Sequence, residues 1–339
     1  MAAFGSFALQ EAPQTPATVG YDGGIAHAHG QCRLQRAVRP TRCQGDSRMK
    51  TTPLHAALLV LALLMLGGCA GSGGRVGGDT LARIKSSKTI VMGHREAAVP
   101  FSFINSEGKP AGYSVDLCQR VAAGIQTQLG LPELSIQWVQ LDAENRMNAV
   151  SDGRVDIECG VTTNTLTRQE RVDFSSHIFV DGASLLVRAD SPINSKADLN
   201  SRRVGVIAGT TTEKAIRGAL ASEDLKTQVV IVKDHLDGLA AIDAGKVDAY
   251  AADRVVLIGL ALNSKDPSRL RIPDEYLSFE PYALVVRRGD PDFRLAVNRE
   301  LARLYRSGDI QRVYNQWLGP LGRPSALLFA MYMLGGLPE

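Results

Sequence analysis

Apolar and polar positions alternate between two periods along most of the chain. Residues 89–93 form an apolar, β-branched run typical of a strand. After Ser114, apolar residues recur at helical spacing up to position 129, which predicts an amphipathic helix. Further strands are predicted at 134–139, 155–157, 203–207, 229–232, 247–250 and 282–286, and further helices at 145–151, 209–220, 235–244, 253–262, 291–306 and 310–317.

This alternation of strand and helix predicts parallel sheets covered by helices. Residues 151–156 (Ser-Asp-Gly-Arg-Val-Asp) and 243–248 (Asp-Ala-Gly-Lys-Val-Asp) each read as a helix end, a glycine cap and a strand start. Similar signals in both halves predict two α/β lobes that face each other across a cleft. Crossings are expected at 178–181 and 281–283, with lobe 1 comprising 81–179 and 283–339 and lobe 2 comprising 180–282.

The first 80 residues predict export rather than folded structure. Residues 1–48 lack sustained periodicity and are expected to be an upstream extension, with translation starting at Met49. Residues 49–68 combine a basic start with an apolar run, as a secretory signal does. Leu66-Gly67-Gly68-Cys69 resembles the bacterial lipobox, which implies lipidation of Cys69, and residues 69–80 read as a flexible tether. The alternative is a transmembrane anchor, although the run is shorter than the ~17 residues of a span.

Composition narrows the classes of function. A formal net charge of +3, without a basic run, argues against a nucleic-acid partner. Of five cysteines, Cys118 and Cys159 remain after processing and lipidation, and an oxidising compartment predicts that they pair. Two buried free thiols are the alternative. No CxxC motif or His/Cys cluster suggests a metal, and no cofactor is predicted.

The chemistry is concentrated in residues 158–175, Glu-Cys-Gly-Val-Thr-Thr-Asn-Thr-Leu-Thr-Arg-Gln-Glu-Arg-Val-Asp-Phe-Ser. This loop offers the Val161 carbonyl, the Thr163 hydroxyl and the Arg168 guanidinium. An arginine can hold a carboxylate through two parallel hydrogen bonds, while a carbonyl and a hydroxyl can accept from an ammonium. Val161 and Asp253 each lie six residues after the valine of one of the two similar segments, Val155 and Val247. They are therefore expected at equivalent strand ends, where ligands bind in open α/β sheets.

Together these segments resemble the extracytoplasmic amino-acid-binding proteins of ABC importers, in particular the members that bind glutamate and aspartate. The resemblance implies a type II periplasmic-binding-protein fold, with two open α/β lobes joined by a two-strand hinge. It covers residues 81–317, and its segments are 93–102, 144–146, 158–175, 209–211, 233–235 and 251–253.

The resemblance also implies roles for single residues. Arg168 would bind the ligand α-carboxylate, helped by backbone amides near Thr163 and Thr211. One position departs from the family pattern, since Ala143 stands where the family often has a serine. The ammonium group would be bound by Val161, Thr163 and Asp253. The side-chain carboxylate would be bound by Arg95, Arg146 and His235.

Charge arithmetic favours an acidic ligand, because three arginines against one aspartate leave about two positive charges, and a buried unpaired charge costs several kcal/mol.

Each residue also has a simpler interpretation. Arg168 could pair with an acid on its own helix, Arg95 and Arg146 could be surface arginines, and His235 could be a capping or core residue. Asp253 could be a helix N-cap.

The sequence therefore predicts a monomeric, lipid-anchored periplasmic protein that binds glutamate or aspartate and delivers it to an ABC permease, without catalysis. Three alternatives stay open. One is an exported enzyme resembling cyclohexadienyl dehydratase, with Glu158 as its acid. The others are a binder of another polar amino acid and a sensor input domain.

Overall fold

The computed structural model describes residues 79–339. The predicted extension at 1–48, the signal peptide at 49–68 and the lipidated Cys69 lie outside the described residues. The predicted tether was placed at 69–80, but the first helix already begins at Thr80. Thr80 is buried, and its backbone N–H donates to the Asp290 carboxylate, which anchors the start of this helix.

Ten α-helices lie between residues 79 and 339. They are α1 (Thr80–Ser87), α2 (Tyr113–Gln128), α3 (Arg146–Ser151), α4 (Leu166–Gln169), α5 (Thr211–Ser222), α6 (His235–Asp243), α7 (Arg254–Leu262), α8 (Pro291–Ser307), α9 (Asp309–Leu318) and α10 (Ala326–Gly335).

Thirteen strands lie in the same part of the chain. They are β1 (Thr89–His94), β2 (Ala97–Ala98), β3 (Ser102–Ile104), β4 (Pro110–Ala111), β5 (Ser135–Gln140), β6 (Ile157–Glu158), β7 (Val172–Asp181), β8 (Ala183–Arg188), β9 (Arg203–Ile207), β10 (Gln228–Val232), β11 (Ala249–Asp253), β12 (Leu270–Arg271) and β13 (Glu280–Arg287).

Two five-stranded sheets form the cores of two lobes, so the predicted two-lobed α/β class is confirmed. The first sheet has the order β5-β1-β6-β13-β7 and the second the order β10-β9-β11-β8-β12. Strands β5, β1 and β6 pair in parallel, as do β10, β9 and β11, in agreement with the prediction, but β13 and β8 run antiparallel to their neighbours. They do so because each enters its sheet directly from a crossing between lobes, without a helix in between. Strands β2–β4 form a small third sheet that the sequence patterns missed.

The chain crosses between the lobes on two adjacent segments. Strand β7 ends the first-sheet path at Asp181, and Ala183 begins the second sheet. The chain returns at Glu280, which pairs with Asp181. The change of sheet therefore lies between Asp181 and Ala183 on the way out and near Glu280 on the return, and both crossing strands extend beyond the predicted crossings at 178–181 and 281–283.

The C-terminal helix α10 packs on lobe 1, against β7 and α8. The Tyr332 hydroxyl on α10 lies 2.8 Å from the Tyr113 hydroxyl, which donates to the Ile178 carbonyl. Both tyrosine side chains are buried, so this contact fastens the tail to the first lobe. None of the helices between residues 79 and 339 has the length and apolar character required to span a bilayer.

A disulfide joins Cys118 on α2 to Cys159, which follows β6, across a sequence separation of 41 residues. Because such a bridge limits the unfolded chain, replacing both cysteines by serine should lower the free energy of unfolding by ~3–4 kcal/mol. We expect a fall in Tm of roughly 10 °C, measured by thermal melting of the exported protein. Free thiols at both positions in unreduced, denatured protein would contradict the bridge.

Candidate functional site

The predicted site residues meet because most of them follow the carboxyl ends of parallel strands. Arg95 follows β1, Arg146 begins the helix after β5, Thr211 begins α5 after β9, and His235 begins α6 after β10. Both sheets present these ends to the space between the lobes, which is the usual ligand position in open α/β sheets. The cavity there is lined by Arg95, Arg146, Val161, Thr163, Ile207, Thr210, Thr211, Thr212, His235, Tyr250, Ala251, Ala252 and Asp253.

Arg168 lies beside this cavity and connects the lobes. Its Nη1 donates to the Thr163 carbonyl at 2.9 Å, and its Nη2 donates to the Gly209 carbonyl of lobe 2 at 3.4 Å. The helix that carries it is held by the Thr165 hydroxyl, which accepts from the Arg168 N–H. Arg168 forms no ion pair with an acid on its own helix among residues 79–339, so the simpler interpretation of this arginine is not supported.

Arg95 and Arg146 are not surface residues, since only 7% and 3% of them is exposed. The Nε and Nη1 atoms of Arg146 are buried and have no hydrogen-bond partner in the described part of the chain. Burial, followed by the positive charges of Arg95 and Arg168, lowers the pKa of Arg146 to about 9. Burial also lowers the pKa of Arg95. The two arginines therefore present buried donors to the cavity.

His235 is the first residue of α6, but Asp234 is the cap, because its side chain accepts from the Asp237 N–H. The His235 Nδ1 atom lies 2.8 Å from the Tyr250 hydroxyl. Burial, followed by the charges of Arg95 and Arg146, lowers the pKa of His235 to about 3. The imidazole is thus neutral at pH 7, and with the Tyr250 hydroxyl donating to Nδ1 the proton at Nε2 can serve a ligand.

Asp253 takes the N-cap position of α7, but its side chain makes no capping hydrogen bond. It accepts instead from the Tyr282 hydroxyl at 2.6 Å and from the Thr212 hydroxyl at 3.2 Å. Burial, followed by the neighbouring carboxylates of Glu280 and Asp181, raises the pKa of Asp253 to about 7. Burial likewise raises the pKa of Asp181 to about 6. This end of the cleft therefore favours a positively charged group.

Sequence reasoning missed Glu280, and it gave Glu158 a functional role only in the alternative enzyme. Glu280 is buried at the return crossing, and its Oε2 accepts from the Thr163 and Thr211 hydroxyls. A charged residue in an otherwise apolar crossing strand was the available signal. Both carboxylate oxygens of Glu158 are buried without a partner among the described residues. A side chain at Gly160 would collide with the Glu158 carboxylate and press on the Arg95 side chain, so a substitution here requires Glu158 to move.

These carboxylates change the charge arithmetic. The predicted surplus of two positive charges counted one aspartate, whereas Glu158, Glu280 and Asp181 also interact with the site. The predicted excess of two positive charges is therefore wrong for the cleft as a whole. What remains is a separation of charge. Arg95 and Arg146 lie at one end with Glu158 as their main neighbouring carboxylate. Asp181, Asp253 and Glu280 lie close to one another at the other end, where Asp181 and Asp253 face the same Tyr282 hydroxyl.

A second cavity of about 300 Å³ adjoins the arginine end and shares Arg95 and His235 with the first. Its polar walls include Glu96, Asp142 and Lys233. Ala143, which replaces the serine expected from the family pattern, also lines it. Among residues 79–339, no group of His, Cys, Asp and Glu side chains is arranged to hold a metal ion.

Residues 90–320 match the model of the bacterial extracellular solute-binding proteins, family 3. The chain belongs to this family. It is 36% identical over 239 residues to the L-glutamate/L-aspartate-binding protein of Pseudomonas aeruginosa, covering 70% of this chain and 79% of the relative. It is 31% identical over 269 residues to the glutamate/aspartate import solute-binding protein of Salmonella typhimurium, covering 79% of this chain and 89% of the relative.

Solved structures agree with the fold of this family 3 member. An ancestral amino-acid-binding protein, described as a precursor of cyclohexadienyl dehydratase, superposes with a TM-score of 0.62 at 27% identity. The match covers 70% of this chain and 99% of that one. The more similar relatives are transport-associated binding proteins, so the chain is a binding protein and not an enzyme. The type II periplasmic-binding-protein fold is likewise confirmed.

Proposed function

We propose that this family 3 protein binds an acidic L-amino acid, glutamate or aspartate, between its lobes and delivers it to an ABC permease. The observation that carries the proposal is the buried guanidinium of Arg146, whose Nε and Nη1 lack partners among residues 79–339. A buried polar group without a partner costs free energy, and a buried charge costs more. A ligand that supplies a carboxylate at this point removes that cost.

The ligand side chain meets the arginine end of the cleft. Arg95 and Arg146 lie on the same cavity as the neutral His235, and all three can donate hydrogen bonds there. An arginine fork fits a carboxylate better than an amide, because both oxygens of a carboxylate accept. A neutral amino acid such as glutamine leaves part of this donor set unpaired, which favours glutamate or aspartate.

The backbone of the amino acid meets the opposite end. The Val161 carbonyl, the Thr163 hydroxyl and the Asp253 carboxylate line the cavity as acceptors for the ammonium group. Arg168 lies within reach of the same loop, and the N-terminus of α5 at Thr211 presents N–H groups that favour a carboxylate. Arg168 and the amides at Thr211 would therefore bind the α-carboxylate.

Both lobes contribute to this arrangement, so a bound amino acid would favour the closed state through contacts that only closure provides. The closed form would then dock on the permease. The predicted lipid at Cys69 would hold the monomer at a membrane surface outside the cytoplasm. Similarity to relatives described as glutamate/aspartate-binding proteins supports the ligand class.

Calorimetry with L-glutamate, L-aspartate, L-glutamine and L-arginine tests the ligand class. We expect both acidic amino acids to bind, and L-glutamine to bind at least about tenfold more weakly because it leaves donors of Arg95 and Arg146 unpaired. Thermal melting should give the same ranking, since a ligand stabilises the state that it binds. Binding of L-arginine or L-glutamine in preference to both acidic amino acids would refute the proposal.

A further inference from the structure

The Glu280 carboxylate connects the two lobes at the base of the cleft. Glu280 begins β13, and only 1% of the residue is exposed. Its Oε2 accepts from the Thr163 hydroxyl of lobe 1 and from the Thr211 hydroxyl of lobe 2, the latter at 2.7 Å. Its Oε1 accepts from the Ser278 hydroxyl at 2.6 Å. Among the neighbouring charges, the Glu280 carboxylate acts most strongly on the Arg168 guanidinium.

The contact with Glu280 determines whether the threonine hydroxyls can donate to a ligand. A carboxylate can only accept hydrogen bonds, and a hydroxyl has a single proton to donate. Thr163 and Thr211 both direct that proton to Glu280, and their own oxygens lie 3.2 Å apart. Both threonines line the cavity, whereas Glu280 does not. Each hydroxyl therefore has only lone pairs left for a ligand.

We propose that Glu280 is a positioning residue that makes the Thr163 and Thr211 hydroxyls act as acceptors, so that this end of the cavity selects an ammonium group. The inference rests on the proposed function. It assigns the direction of the ligand: the ammonium points toward the threonines and Asp253, and the side-chain carboxylate points toward Arg146. Dicarboxylic acids that lack an amino group are then discriminated against at this end.

Calorimetry with L-glutamate and glutarate, the same carbon chain without the amino group, tests this role. In Glu280→Gln, the side-chain amide donates as well as accepts, so one threonine can turn its proton toward the cavity. We expect the ratio of L-glutamate to glutarate affinity to fall at least about tenfold. The matched control is Glu300→Gln, which neutralises another buried glutamate, paired with Arg303 on α8, and should leave the ratio unchanged.

A double-mutant cycle separates hydrogen-bond direction from simple loss of charge. Thr163→Val removes one of the hydroxyls through which Glu280 would act. In that background, Glu280→Gln should change the affinity ratio at least threefold less than in the parent. An equal change in both backgrounds would show that Glu280 acts through its charge and would refute the inference. Interaction energies of this kind are expected only for residues in contact.

The outcomes distinguish the two proposals. If the unaltered protein binds neither acidic amino acid, the proposed function fails. If it binds L-glutamate and Glu280→Gln keeps the same ratio, only the role of Glu280 fails. Should Glu280→Gln not fold, Thr163→Val alone decides, because it removes an ammonium acceptor while Glu280 stays in place. An unchanged ratio in Thr163→Val would then refute the inference.

Discussion

Replacing Arg146 by methionine is expected to reduce the affinity for L-glutamate at least about a hundredfold and to raise the Tm of the ligand-free protein. Breaking a buried ion pair by removing one partner costs ~3–5 kcal/mol, which corresponds to this loss of affinity. The gain in Tm follows from the ligand-free state. There the guanidinium is buried without partners at Nε and Nη1 and is further disfavoured by Arg95 and Arg168.

Calorimetry and thermal melting, with and without L-glutamate, measure both effects. Arg312→Met is the matched control, because Arg312 is exposed on α9 and pairs with Asp309. The control should change neither quantity. Affinity for L-glutamine should fall much less than affinity for L-glutamate, since glutamine brings no second carboxylate. An Arg146→Met protein that still binds L-glutamate with parental affinity would remove the basis for acidic specificity.

Replacing Arg168 by alanine should weaken the binding of every amino acid, with a loss of at least about a hundredfold for L-glutamate. The α-carboxylate is common to all amino acids, and a buried, hydrogen-bonded charge pair is worth ~3–5 kcal/mol when one partner is lost. Arg168 also donates to the carbonyls of Thr163 and Gly209, so the variant loses a direct contact between the lobes. Equilibrium dialysis with labelled L-glutamate measures the loss.

Arg171→Ala provides the control, since Arg171 lies in the same segment but is exposed and contacts Asn148. Arg168→Lys separates charge from shape, because lysine keeps the charge but cannot form two parallel hydrogen bonds. We expect it to bind more weakly than the parent and more tightly than Arg168→Ala. Parental affinity in Arg168→Ala would exclude this arginine as the α-carboxylate ligand.

Much of the fold could be predicted from local patterns. The helical spacing after Ser114 and the two similar segments at 151–156 and 243–248 are properties of short stretches, and both became sheet-and-helix units of the two lobes. The direction of β8 and β13 was not predictable in this way. It depends on which sheet the chain joins after a crossing, and no local pattern shows which sheet that is, even though a helix follows β13.

In the candidate site too, local patterns predicted some residues and missed those that depend on contacts distant in sequence. Residues that follow strand ends, such as Arg95, Thr211 and His235, could be placed together because parallel strands end at one edge of a sheet. Glu280 could not, because its partners Thr163 and Thr211 are separated from it by 117 and 69 positions. No local pattern records which hydroxyl donates to which acid over such separations. The charge count failed for the same reason, since it left out Glu158 and Glu280.

The crowded surroundings of Gly160 limit how this scaffold can change its ligand. A side chain there would displace the Glu158 carboxylate and press on the stem of Arg95, so a substitution in that loop also disturbs an arginine that lines the cavity. The second lobe has a comparable constraint, because a side chain at Gly238 would press on the buried ring of Tyr250, which also lines the cavity. Each wall of the cavity therefore depends on a glycine whose replacement would disturb a neighbouring residue of the site.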